Sequence, residues 1–273
     1  NWSAMDGGTG VYGKPIYALE VDGSGNVYAG GTFDTIGGVA ADNVAVWNGS
    51  NWAPLGAGVN ERVYALLWDS GTLYVGGAFT QAGGSGASYI ATWDGVSWSA
   101  VGSGASGEVK ALVKDGSDLY IGGWFTSAGG STVNYVARWN GASWFPLGSG
   151  MDYRVDALAM ATDGTLYAGG QFSEADGQSA RGVARWDGVN WSSLGSGVEA
   201  RVTTMAFDAD ENLYIGGYFT TAGGKPSSHI AYARLAPYLT LTKSAEPAGV
   251  QVGDAITYTL VAQNDGAETA TGV

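Results

Sequence analysis

The chain has 273 residues, 45% hydrophobic and 12% aromatic, which is enough to bury a sizeable core. Its 12 Lys and Arg stand against 25 Asp and Glu, a net charge of −13, so its field does not suit nucleic acid or an anionic membrane surface. It has no cysteine, one histidine and no run of 18 or more apolar residues. These counts exclude a disulfide framework, a thiolate nucleophile and a Cys/His zinc site, and they predict no membrane span.

Asn1-Trp2-Ser3-Ala4-Met5 opens the chain and matches two later segments, Asn51-Trp52-Ala53-Pro54-Leu55 and Asn190-Trp191-Ser192-Ser193-Leu194. A unit of about 47 residues then recurs, marked by Gly-Gly-x-Phe beginning at Gly30, Gly76, Gly122, Gly169 and Gly216. The second unit shows its content. Val63 to Trp68 is a β-rich run ending at Asp69-Ser70-Gly71, and Leu73 to Phe79 is the next. After a glycine-rich loop at 83–88, Tyr89 to Trp93 leads through Asp94-Gly95 into Ser97 to Val101. Four short runs between turn clusters predict a four-stranded antiparallel meander.

Asn48-Gly49, Asp94-Gly95, Asn140-Gly141 and Asp187-Gly188 supply the positive φ that a tight hairpin between third and fourth strands needs. A Trp pair flanks each of these turns: Trp47 and Trp52, Trp93 and Trp98, Trp139 and Trp144, Trp186 and Trp191. One such sheet per period predicts propeller blades, and five units predict an all-β, five-bladed β-propeller over residues 1–236. Small residues at Ala18, Ala65, Ala111 and Ala157 on the first strands suit a narrow axis. The fifth unit offers three runs, has Ala233 in place of the first Trp, and lacks the second. Trp2 and Met5 are therefore predicted to close the ring as the fourth strand of the last blade.

The elements Leu-Tyr-x-Gly-Gly-x-Phe, Gly-Gly and Val-Ala-x-Trp-(Asp/Asn)-Gly-x-x-Trp-x-x-Leu-Gly run from Leu119-Tyr120 through Gly148. They resemble bacterial and fungal surface propellers, including the cortical cell-polarity marker type. The resemblance covers residues 1–236 and implies a cell-surface propeller. It implies no activity, because propellers host many.

The pattern stops at Ala236-Pro237. Tyr238 to Lys243 and Ala255 to Asn264 then alternate Thr with apolar residues, as half-buried strands do. "LTLTKSAEPA", "VQVGDAITYTL" and "QNDGAETATGV" are similar to the start of the Ig-like repeat domains of bacterial surface proteins. Such a sandwich takes about seven strands and about 100 residues. Residues 237–273 have room for roughly three strands, too few for a core of their own. They are expected to form an incomplete Ig-like β-sandwich completed by other strands, with Leu239, Leu241, Ile256, Tyr258 and Leu260 as the assembly interface.

Little in the chain suggests chemistry. His229 reads as a surface residue, and no Gly-x-x-x-x-Gly-Lys loop is present. Asp208 to Asn212 fits a hairpin turn better than a calcium loop, since it lacks the Gly and distal Glu. Glu61, Glu108, Asp152 and Glu199 fall at equivalent or neighbouring positions and read as a solvated rim. Trp52, Trp98, Trp144 and Trp191 suit packing between blades, with sugar stacking as the weaker use. No catalytic residue, cofactor or metal is predicted. The expected function is a non-enzymatic extracellular structural protein on a prokaryotic surface, its partner another copy of itself in a head-to-tail filament. The alternative is a lectin-like or adhesive module with a glycan partner.

Overall fold

In a computed structural model, residue 5 and residues 14–235, 239–246 and 257–264 are described. All regular elements among them are strands. Five sheets follow one another in the chain. The first joins Ile16–Val21, Val27–Gly31, Val44–Trp47 and Trp52–Pro54 in that order. The second, third and fourth units repeat this order, and the fifth has three described strands, Val202–Phe207, Asn212–Gly217 and Ile230–Arg234.

The turn chemistry behaves as the residue types require. Gly49, Gly95, Gly141 and Gly188 have φ between 92° and 97°. The preceding side chain accepts the next two backbone N–H groups, as Asp94 does from Val96 and Ser97. Where the sequence suggested only a glycine-rich loop, each unit carries a small hairpin, such as Gln81–Ala82 against Ser85–Gly86. Every first strand has a bulge at the same place, between Ile16 and Ala18, Val63 and Ala65, Val109 and Ala111, Val155 and Ala157, and Val202 and Thr204.

The core lies between units. The first glycine of the pair in each of the first four units lets the next unit's first strand approach. A Cβ on Gly76 would sit 2.7 Å from Val109 Cγ1, and one on Gly122 would sit 2.6 Å from Val155 Cγ1. Val63, Val109, Val155 and Val202 are all fully buried. Aromatic contacts cross the same seams, including Tyr28 on Trp68 at 5.3 Å and Tyr167 on Phe207 at 5.5 Å. This arrangement, one meander per unit with each packed face to face on the next, is that of a β-propeller.

The ring closure expected from Trp2 and Met5 is not made among the described residues, and Trp2 lies outside them. Among the described residues, a Cβ on Gly216, the fifth unit's counterpart of Gly122, would meet only its own unit, at Thr204 and the His229 carbonyl. Ile16, the counterpart of Val63, is 37% exposed, and Leu19, the counterpart of buried Leu66, is 63% exposed. Among the described residues, the first and last units thus each have one face without a neighbouring unit.

Candidate functional site

The tryptophans form one repeated seat. The two indoles of a unit pack at 5.2–5.5 Å between ring centroids, tilted by 47–54°. Trp98 Nε1 donates to the Leu55 carbonyl oxygen at 2.7 Å, and Trp191 Nε1 donates to that of Leu147 at 2.9 Å. Each bond ties a fourth strand to the end of the preceding unit's fourth strand. The Trp144 nitrogen is buried without a partner. Trp52, Trp144 and Trp191 are buried and Trp98 is half-buried, so these indoles do not offer the open ring faces that sugar stacking needs.

The fifth unit lacks this seat's occupant among the described residues. A Cβ on Gly56 or Gly102 would touch the next unit's indoles, and one on Gly83 or Gly129 would touch Trp98 or Trp144. Their counterparts Gly195 and Gly223 have nothing within 4 Å. The result is a mostly apolar cleft of about 570 Å³ lined by Leu194, Gly195, Leu213, Gly223, Ile230 and Ala233 among others. Beside it, Ile230 is 66% exposed, whereas its counterparts Val44, Ile90, Val136 and Val183 are buried. Tyr214 stacks on its cross-strand partner Tyr232 at 5.5 Å.

A second cleft, of about 670 Å³, is lined by Arg154, Gln171, Arg181, Glu199, Arg201 and Tyr218. Two of its arginines are committed to structure. Arg201 holds buried Asp156 through Nε and Nη2, both at 2.8 Å, and Arg154 Nε lies 3.5 Å from the same carboxylate. Arg154 also donates to Gln171 at 2.8 Å.

The acids read as a solvated rim include two structural acceptors that sequence reasoning missed. Asp152 accepts from the backbone N–H groups of Ser173 and Glu174. Glu199 does the same for Thr220 and Thr221, and hydrogen bonds from Thr221 and Thr220 hold its carboxyl down at about 2. Asn60 and Ser106 occupy the same place in the second and third units. Acceptor and donor lie 20 to 22 residues apart each time, a spacing that would have revealed the pairing. Asp208 accepts from Asp210 and Asn212 within its own turn. His229 has φ of 67°, a position that Asn43, Tyr89 and Tyr135 share, and its N–H donates to the Phe219 carbonyl.

At the C-terminal end, Leu239–Glu246 pairs with Thr257–Asn264 over eight residue pairs, Leu239 with Asn264 through Glu246 with Thr257. Leu260 is 62% and its neighbour Val261 50% exposed, so apolar side chains are bare on both faces. Ile256 lies outside the described residues, as do the side chains of Leu239, Leu241 and Tyr258. Among the described residues no helix is long and apolar enough to cross a membrane.

Comparison with known proteins agrees with this architecture. Residues 118–141 and 161–187 match the family described as "Domain of unknown function (DUF5122) beta-propeller". No curated protein matches the chain. Among solved structures, the extracellular domain of a one-component system from B. thetaiotaomicron is similar with a TM-score of 0.51 and 11% identity, over 79% of this chain and 26% of that one. The extracellular domain of a hybrid two-component system from B. thetaiotaomicron gives 0.51 and 11%, over 82% of this chain and 27% of that one. The chain thus spans about a quarter of each, and at this identity the likeness is one of fold. The chain is an all-β protein of the β-propeller class.

Proposed function

We propose that this chain is a non-enzymatic, extracellular structural module of a prokaryotic surface, and that it joins copies of itself into a filament. Residues 1–236 are the propeller part, its five units being its five blades. Residues 237–273 are a part-sandwich of Ig-like type that strands from a neighbour complete. The observation that carries the reading is the C-terminal hairpin, eight pairs long and bare at Leu260 and Val261. A lone two-stranded hairpin is marginal in water, and an exposed edge accepts further strands. Head-to-tail joining of unlike surfaces gives open fibres. The extracellular placement draws on the propeller fold shared with the two extracellular domains above.

The test is electron microscopy of the full chain beside its Leu260→Asp, Val261→Asp double variant. Fibres with a regular axial repeat that shorten or vanish in the variant support the joint. Fibres unchanged by both substitutions would overturn it. A lone chain that binds a glycan array would favour the carbohydrate-binding alternative, which the buried tryptophans do not support.

A further inference from the structure

We infer that the cleft between the fourth and fifth units binds an acidic sugar, its carboxylate on Arg181 and its ring on Tyr218. The site lies apart from the C-terminal hairpin and is compatible with a filament joint there, without needing one.

The cleft exists because one seam lacks the rings that fill the seam before it. Between the third and fourth units, Tyr153 packs 6.3 Å from Trp124 and 6.1 Å from Tyr135, centroid to centroid. Trp124 precedes Phe125, Tyr135 precedes Val136, and Tyr153 stands two before Val155. At the next seam the same places, set by Phe172, Val183 and Val202, hold Gln171, Gly182 and Ala200. Gly182 has φ of 68° and Tyr135 has 67°, so the backbone bends alike and the side chains make the difference. The space left is about 670 Å³, within the range of about 300–1,000 Å³ for small-ligand sites.

The walls of this space are cationic in a chain of net charge −13. Arg154, Arg181 and Arg201 line it against one acid, Glu199, which is taken up by Thr220 and Thr221. Asp156 holds Arg201 and Gln171 holds Arg154, which fixes both guanidinium groups while leaving each of them further N–H donors. Arg181 is exposed, and its side chain makes no hydrogen bond or ion pair among the described residues. A guanidinium fork in this setting suits a carboxylate. Asp156 behind Arg201 and Asp152 behind Ser173 temper the field, so one negative charge fits better than the near-double charge of a phosphate monoester.

The main chain around the cleft is already paired. The N–H groups of Gln171, Gly182, Val198 and Tyr218 donate to the carbonyls of Arg154, Phe172, Arg181 and Arg201. An extended peptide binds by adding a strand to a free edge, and these bonds close the strand ends that face the cleft. Recognition therefore falls to side chains. Gln171 spends its oxygen on Arg154 and keeps its amide N–H groups for a hydroxyl, and Tyr218 offers a ring face to the apolar side of a sugar. Carboxylate, hydroxyl and ring together describe a uronic acid residue of a glycan.

The test is calorimetric titration of the full chain with tetragalacturonate, maltotetraose and tetraglutamate, which are an acidic sugar, a neutral sugar and an acidic peptide. Tetragalacturonate is expected to bind, and the other two to bind about tenfold more weakly or not at all. Arg181→Gln and Tyr218→Ala are each expected to weaken tetragalacturonate by about tenfold or more at unchanged melting temperature. Arg181→Lys should fall between the parent and Arg181→Gln, because it keeps the charge and loses the fork. Ala200→Tyr puts back one ring of the filled seam and is expected to abolish binding; should it fail to fold, Arg181→Gln decides. Absence of tetragalacturonate binding overturns the inference, and so does binding that the folded Arg181→Gln chain retains in full. Maltotetraose as tight as tetragalacturonate overturns it by removing the carboxylate's part, and tetraglutamate as tight overturns it in favour of a surface for acidic peptides.

Discussion

Trp52 Nε1 donates to the carbonyl oxygen of Met5 at 3.1 Å, across 47 positions of the chain. The same bond joins Trp98 to Leu55 and Trp191 to Leu147, so one indole hydrogen bond recurs as the clip between successive units. What Met5 contributes to the first unit, Leu194 would contribute to a fourth strand of the fifth.

Trp191 tests the clip. It is buried, packs on Trp186 at 5.5 Å and donates to the Leu147 carbonyl. Trp191→Ala is expected to lose about 3–5 kcal/mol, because it opens a large cavity and strips the seam. Trp191→Phe keeps most of the ring area but leaves the carbonyl unpaired, for a loss of about 1–3 kcal/mol. Urea unfolding should show that order. Equal losses would mean that the hydrogen bond, rather than the packing, holds the seat.

The seam glycines make a paired test. Gly122→Ala puts a methyl group 2.6 Å from Val155 Cγ1, on a side chain fixed in a close-packed seam. Overpacking of this kind costs about 1–3 kcal/mol. Gly216→Ala meets only the Thr204 methyl within 3 Å, and should cost less than about 1 kcal/mol, partly offset by the stiffer unfolded chain. Chemical denaturation of the two variants checks the difference.

Acid should weaken the fold through carboxylates held as anions. Glu199 is lowered from 4.5 to about 2 by hydrogen bonds from Thr221 and Thr220. Asp94 and Asp187 are lowered by the backbone N–H groups of their turns. A carboxyl whose folded pKa is depressed contributes stability that is fully present above its unfolded value and is lost as pH falls toward the folded one. Melting temperature is therefore expected to hold from pH 7 to 5 and to drop as pH falls through the carboxylate range toward 2. Asn48 and Asn140 do the work of Asp94 and Asp187 with an uncharged amide. An Asp94→Asn, Asp187→Asn chain should match the parent at pH 7 and lose less at pH 3.

Much of this was legible in the chain because its signals are local. Trp pairs five apart and Asn-Gly or Asp-Gly turns set the hairpins, and the Gly-Gly-x-Phe mark set the period. The two-residue strands at Gln81–Ala82 and Ser85–Gly86 are too short to show alternation, so they read as loop. The closure expected of Trp2 falls outside the described residues. Trp2 matches every fourth strand equally well, which says what the segment is but not whose unit it joins. The uncovered Ile16 and Ile230 are visible only once their buried counterparts are known.

The Asp156 cluster shows how charge is used inside an otherwise apolar seam. Its carboxylate is nearly sealed, bound by both Nε and Nη2 of Arg201 in the next unit, with Arg154 Nε at 3.5 Å. Neither arginine is fully buried, their side chains being 30% and 20% exposed, so water still screens part of the charge. Asp156→Ala leaves two guanidinium groups facing each other, and should lose about 3 kcal/mol, the low end for breaking a buried pair. Arg201→Met removes one charge but leaves Asp156 its contact with Arg154, so its loss should be smaller. The double variant should lose less than the two singles together, by about 0.5–3 kcal/mol of coupling. Urea unfolding of the four chains measures this. Additive losses would mean that Arg201 and Asp156 each stabilise the seam through separate packing rather than through one shared ion pair between the fourth and fifth units.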